Sequence, residues 1–276
     1  MEKNKYKYFY VNGCSFSEGG GLEEPRRWNK YKGHTLPGGF MPTYKKYYNV
    51  SWKSRKYVNW GYRLSKIIGV ECINESKSGG GPERVIRMAY DFLYKHWKIK
   101  DKIFLLLELP DSGRAEVFYT KTGEYYIVNT KFDDDGNCKF IHATREHMPD
   151  KISKNREDND TIEIFKTWFE SHFNLEEQMK QMDKDIIGLY SFCTLNNIPI
   201  YLMGGGSTSL GYNMFEGIID KSHIFEGVQG WCKNNKMTID DEIGKYHDEY
   251  TDGHPGYFGH IEYAKYIAKE LGFETK

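Results

Sequence analysis

The feature that most constrains this chain is the run Lys102 to Leu109, seven of whose eight residues follow the lysine as Ile-Phe-Leu-Leu-Leu-Glu-Leu. A strand this apolar has no solvent face, and strands buried on both sides belong to parallel sheets covered by helices. Three further runs read as strands: Lys7 to Val11, which ends at Asn12-Gly13; Val70 to Ile73; and Pro199 to Met203, which ends at Gly204-Gly205-Gly206. Between them lie helical patterns. Tyr57 to Ile68 repeats Trp60, Leu64, Ile67 and Ile68 at helical spacing, and Glu83 to Trp97 repeats Val85, Ile86, Met88, Ala89, Phe92 and Leu93 behind a first-turn Pro82. Thr161 to Asn196 is a long helical stretch with a break expected near Asn174, and Ile261 to Leu271 is a closing helix. Strands alternating with helices predict an α/β fold, a three-layer α/β/α sandwich on a mainly parallel sheet of flavodoxin-like type.

Three segments interrupt the rhythm, near 22–51, 111–159 and 204–250, and are read as insertions into a single domain over residues 1–276. The second holds a hairpin, Val117 to Val128 around Thr122-Gly123, set apart from the main sheet, and an Asp133-Asp134-Asp135-Gly136 turn. No internal repeat is visible.

Composition narrows the function. With 39 basic and 39 acidic residues the chain lacks the positive excess of a nucleic-acid binder, so no nucleic-acid partner is expected. The cluster Lys45, Lys46, Lys53, Arg55 and Lys56 is read as a solvated face. Five scattered cysteines without a Cys-x-x-Cys pair argue against a disulfide framework or zinc site and for reduced thiols in the cytoplasm. The N-terminus has no signal-peptide pattern, and no apolar run is long enough to span a bilayer.

In an open α/β sheet, ligands bind beyond the carboxyl ends of the strands. Asn12-Gly13-Cys14-Ser15-Phe16-Ser17-Glu18-Gly19 begins where the first strand ends, which sets Ser15 at that edge. Serine needs a base to act as a nucleophile. Thr251-Asp252-Gly253-His254-Pro255 offers one in His254, with Asp252 to fix its tautomer. The bland alternatives are a capping serine, a turn histidine and an ordinary Asp-Gly turn.

These segments resemble the SGNH hydrolase (GDSL-like) superfamily, in a divergent phage-type branch. Gly13-Cys14-Ser15-Phe16-Ser17 is similar to its first motif block, with Cys14 where an Asp is usual. Asn74-Glu75-Ser76-Lys77-Ser78-Gly79-Gly80-Gly81 is similar to the second, in which a Gly N–H, here Gly79, lines the oxyanion hole. Asp252-Gly253-His254-Pro255 followed by Gly259-His260 is similar to the last block, with Asp-x-His in place of Asp-x-x-His; Asp248 or Glu249 are the alternative acids. The third block differs most. Glu108-Leu109-Pro110-Asp111-Ser112-Gly113-Arg114-Ala115-Glu116 has no Asn where the family has its Gly-x-Asn-Asp, and Ser112 or Arg114 is the candidate replacement donor.

The resemblance implies a serine esterase or acylhydrolase acting on an acyl ester, with acetyl a candidate group, of a carbohydrate, lipid or small metabolite. Ser15, His254 and Asp252 would be catalytic; Ser15, Gly79, Ser112 and Arg114 would line the oxyanion hole; and neither cofactor nor metal would be required. A catalytically inactive binding protein on the same fold and an acyltransferase using the same serine are the alternatives. Other patterns carry less. His254 and His260 have no zinc-like spacing. Gly204-Gly205-Gly206-Ser207 lacks the Gly-Lys-Ser/Thr of a phosphate loop. Nothing fixes a glycosidase-like separation for Glu108 and Asp111. Tyr44, Tyr47, Tyr48, Trp52 and Tyr57 are read as core cover in preference to a substrate cleft.

Overall fold

The apolar runs pair as parallel strands. In the computed structural model, which describes residues 5–19, 57–110, 113–132, 138–145, 159–204, 217–238, 241 and 254–273, β1 (Tyr8–Asn12) lies between β2 (Glu71–Asn74) and β3 (Ile103–Leu109). Beyond β3 come β7 (Ile200–Gly204) and the two-residue β8 (Ile224–Phe225), giving the order β2-β1-β3-β7-β8 with every pairing parallel. The order reverses between β1 and β3, since the chain leaves β1 to one side and returns to the other. That is the switch point where such sheets leave a crevice.

Alternation along the central strands sorts the core into two layers. Phe9, Val11, Phe104 and Leu106 face α2 (Trp60–Ile68), α6 (Val228–Asn234) and α7 (Tyr257–Glu270). Tyr10, Leu105, Leu107 and Leu109 face α3 (Pro82–Lys95) and α5 (Leu175–Leu195). All seven residues of β3 are buried, as its composition demands. Rings lock the layers: Phe9 stacks on Phe104 at 5.3 Å and Tyr10 on Phe92 at 4.3 Å between centroids. The result is the expected α/β/α arrangement.

Helix ends follow their capping residues. Asn59 caps α2 by accepting from the Tyr62 N–H at 3.0 Å, so that helix starts three residues after Tyr57. Pro82 is the first residue of α3. The long helical stretch divides into α4 (Asn159–His172) and α5, because the Asn174 side chain accepts from the Glu177 N–H at 3.1 Å and starts a new helix. The last helix begins at Tyr257, earlier than its apolar pattern indicates.

The 111–159 segment is more ordered than a hairpin. β4 (Arg114–Tyr119), β5 (Glu124–Phe132) and β6 (Cys138–Arg145) form a separate antiparallel sheet. One face, with Ala115, Tyr126, Val128 and Ala143, packs on Phe165 and Phe169 of α4. The other face turns to α3, where Arg87 meets Glu116 in a bidentate pair at 2.7 and 2.8 Å. The 22–51 segment, its aromatic and basic clusters up to Lys56, and the Asp133–Gly136 turn lie outside the described residues.

Candidate active site

β1 ends in a fully buried Asn12, whose side chain closes the strand over the next turn. Its Oδ1 accepts the Gly13 N–H at 2.8 Å and an Arg84 Nη1 hydrogen at 3.0 Å, while its Nδ2 donates to Tyr10 Oη at 2.9 Å. Arg84, itself buried, also donates to the Glu75 carbonyl at 3.0 Å, and Tyr10 donates to Glu75 Oε2 at 2.9 Å. Burial pushes the Tyr10 phenol far above its ordinary range. This polar raft fixes where the chain leaves the sheet.

The chain then enters α1 (Ser15–Glu18), a single turn. Gly13 is there for space: a Cβ on it would lie 2.6 Å from Glu108 Oε2 and 2.7 Å from Glu108 Cβ. Glu108, next to last in β3, lies directly beneath the turn and is fully buried. Its Oε2 accepts the Ser17 N–H at 3.1 Å, and the Cys14 thiol donates to the same oxygen over 3.8 Å. Burial pushes this carboxyl up to about 7, against the opposing pull of the hydrogen bonds from Ser17. The Ser17 hydroxyl accepts from Trp60 Nε1 at 3.1 Å.

Ser15 sits at the start of α1 with 8% of its surface exposed, and His254 Nε2 stands 3.0 Å from its Oγ. The two residues are 239 positions apart. The His254 ring leans on Phe16, with centroids 4.8 Å apart. Downstream, Pro255 bridges to Thr238, and Gly256 N–H donates to the Met237 carbonyl at 2.9 Å, which ties the histidine loop to the body of the protein.

The second motif block runs alongside. Lys77 N–H donates to the Gly13 carbonyl at 3.0 Å, Ser78 N–H to Glu18 Oε2 at 2.6 Å, and Asn74 Nδ2 to the Ser17 carbonyl at 3.0 Å. Gly80 N–H returns to the Lys77 carbonyl at 2.8 Å, closing a turn whose third residue, Gly79, has φ +79°. That conformation favours glycine. A side chain there would also press on Asn129, whose Oδ1 lies 3.3 Å from the Cβ position. Arg114 Nη1 donates to the Gly80 carbonyl over 3.4 Å.

Ser15, His254, Gly79 and Arg114 are thus gathered at the carboxyl end of β1 and β3. Asp252, Ser112, and the alternative acids Asp248 and Glu249 lie outside the described residues. His260 packs in the first turn of α7, but the N–H it takes, at 3.2 Å through Nδ1, is that of Trp60 at the start of α2. Burial above all, with the proximity of His254 and Arg63 adding to it, lowers its pKa to about 3, so it stays neutral. Among the described residues, no group of three or more His, Cys, Asp or Glu side chains could hold a metal ion, and no helix is long and apolar enough to cross a membrane. The sequence reading did not find Asn12, Arg84 or Asn129, and it weighed Glu108 only as half of a carboxylate pair. A lone acid in an otherwise apolar strand was the available signal for Glu108.

No protein-family model matches the chain, and no curated protein matches its sequence. Among solved structures it is similar to the psychrotrophic esterase EstA from Pseudoalteromonas sp., inhibited by monoethylphosphonate, at 13% identity and a TM-score of 0.42, over 96% of this chain and 98% of that one. It is also similar to the acetyl xylan esterase Est2A from the rumen bacterium Butyrivibrio proteoclasticus, at 14% identity and a TM-score of 0.44, over 97% of this chain. It spans 65% of that protein's chain, under two thirds of its length.

Proposed function

We propose that the protein is an SGNH-type serine esterase or acylhydrolase that cleaves an acyl ester of a carbohydrate, lipid or small metabolite. The observation that carries this reading is the 3.0 Å contact between Ser15 Oγ and His254 Nε2 at the switch point of the sheet. A nucleophile and base within hydrogen-bond reach are what acyl transfer through serine requires. In this reading Nε2 takes the Ser15 proton as Oγ attacks the ester carbonyl. The imidazolium then protonates the departing alcohol, leaving an acyl-serine. Water gives a proton to His254, attacks the acyl carbon and releases the acid, and the proton returns to Oγ. Asp252, two residues before His254, orients the ring. The N–H groups of Ser15 and Gly79 hold the developing oxyanion, and the third block contributes a donor from Ser112 or Arg114.

The same contact favours an enzyme over a binding protein on this fold, since a separation beyond about 4 Å would put the base out of hydrogen-bond reach of the serine. The five cysteines form no disulfide, which suits a reducing cytoplasm. The test is labelling by a fluorophosphonate together with hydrolysis of a short-chain aryl ester. Wild type should label and turn over, while Ser15→Ala should do neither and His254→Ala should lose turnover about 10³-fold or more. Equal behaviour of wild type and Ser15→Ala refutes the proposal.

A further inference from the structure

We infer that Asn129, on the inserted three-stranded sheet, donates a side-chain N–H to the oxyanion formed at Ser15. The inference rests on the esterase reading above. It begins with a gap: the segment that follows β3, Leu109 to Glu116, contains no asparagine. That segment runs directly into β4, and the residue opposite Arg114 across the β4–β5 ladder is Asn129. Side chains directly opposite one another share a face of the sheet. Arg114 reaches the Gly80 carbonyl, so this face covers the Lys77–Gly81 turn.

Asn129 reaches the same turn one residue earlier. Its Oδ1 and Nδ2 lie 3.3 and 3.5 Å from where a Cβ of Gly79 would stand, so only a glycine leaves its amide undisturbed. The turn is in turn stitched to the nucleophile loop through the Lys77–Gly13 and Ser78–Glu18 hydrogen bonds. Asn129 is 9% exposed. Among the described residues no hydrogen bond engages its side chain, and its amide is not one of the buried polar groups left without a partner, so it keeps an accessible edge. An amide left open beside the glycine of an oxyanion hole is a donor held ready for charge that appears only during reaction. Its carboxamide stays uncharged and exchanges no proton, so it contributes by hydrogen bonding alone, most strongly to the oxyanion. The geometry also gives the insertion a role: it brings to the site, across a strand pair, a carboxamide donor to stand beside the one from Ser112 or Arg114, since the β3–β4 connection has no asparagine.

The experiment measures kcat and KM for a short-chain aryl ester with wild type, Ser15→Ala, Asn129→Ala and Asn129→Asp, with the fold of each checked by circular dichroism. Asn129→Ala should lower kcat about 100-fold and change KM less than about threefold. Asn129→Asp, nearly isosteric but without the donor and with a like charge, should fall at least as far. Asn129 variants within threefold of wild-type kcat overturn the inference, and they leave the esterase reading standing if Ser15→Ala is inactive. An active Ser15→Ala overturns both. A crystal structure of wild type with Ser15 phosphonylated decides the matter even where a variant fails to fold. Asn129 Nδ2 within hydrogen-bond distance of the phosphonyl oxygen supports the inference, and a separation beyond about 3.5 Å overturns it.

Discussion

Replacing Glu108 by glutamine should remove a pH dependence from the stability of the protein. The carboxyl is fully buried under the nucleophile turn, with Oε2 on the Ser17 N–H and Oε1 without a partner. Burial raises it from an ordinary 4.5 to about 7. Between those values the unfolded chain has released the proton and the folded chain retains it, so the unfolded state binds fewer protons. Stability therefore falls as pH rises through this window and levels off above it. At 1.36 kcal/mol per pH unit the loss amounts to about 3 kcal/mol. Glutamine has no proton to release. Its carbonyl can keep the Ser17 hydrogen bond, while its NH2 group takes the place of Oε1 and lacks an acceptor, as the O–H of the protonated carboxyl does, so any cost of the substitution is independent of pH. The stability of wild type relative to the variant should thus fall by about 2.5 kcal/mol between pH 5 and pH 8. Urea denaturation of both forms at intervals between those pH values measures the difference directly. A difference that stays constant within about 0.5 kcal/mol across the series would refute the argument that Glu108 folds uncharged.

What the sequence made legible divides by range. β1, β3 and β7 are buried runs that end at Asn12, at Leu109 before Pro110, and at Gly204, and the helices between them carry their own periodicity and caps; local signals of this kind need no knowledge of partners. β8 has only Ile224 and Phe225 and exists because β7 offers it an edge, so no periodicity announces it. β6 was equally silent: Cys138 to Arg145 mixes Lys139, His142 and Arg145 with Phe140 and Ile141, because the strand closes a small sheet only partly covered by α4. At the site, Ser15 and His254 each sit in a compact motif, and their meeting follows from where the strands end. The groups that hold the loop in place carry no such motif. Asn12, Arg84 and Glu108 are single polar residues whose roles arise from burial against one another. His260 occupies the first turn of its own helix, but the N–H it accepts belongs to a helix 200 positions earlier, a contact no local pattern encodes.

Two further substitutions test the supports of the site. His260→Ala removes the acceptor for the Trp60 N–H and should cost about 1–3 kcal/mol near neutral pH. Because His260 is held neutral down to about 3, wild type loses stability as pH falls from about 6.5, where the unfolded histidine takes up its proton. Denaturation curves should show the variant's deficit narrowing toward pH 4, and a deficit independent of pH counts against a neutral His260. Gly13→Ala is the harsher change. The new methyl would stand 2.6 Å from Glu108 Oε2 and 2.7 Å from Glu108 Cβ, both inside van der Waals contact. A rotamer change moves the carboxylate but not the Cβ, so the turn must lift away from β3 and give up the Ser17–Glu108 hydrogen bond. Overpacking and the broken bond together predict a loss of about 2–5 kcal/mol, read as a lowered denaturation midpoint. The displacement also carries Ser15 away from His254, so under the proposed mechanism turnover of an aryl ester should fall further than stability alone explains. Truncating the acid distinguishes the two sources of the clash: Glu108→Ala keeps the Cβ and should fail to rescue Gly13→Ala, whereas full rescue would mean that the carboxylate alone was the obstacle.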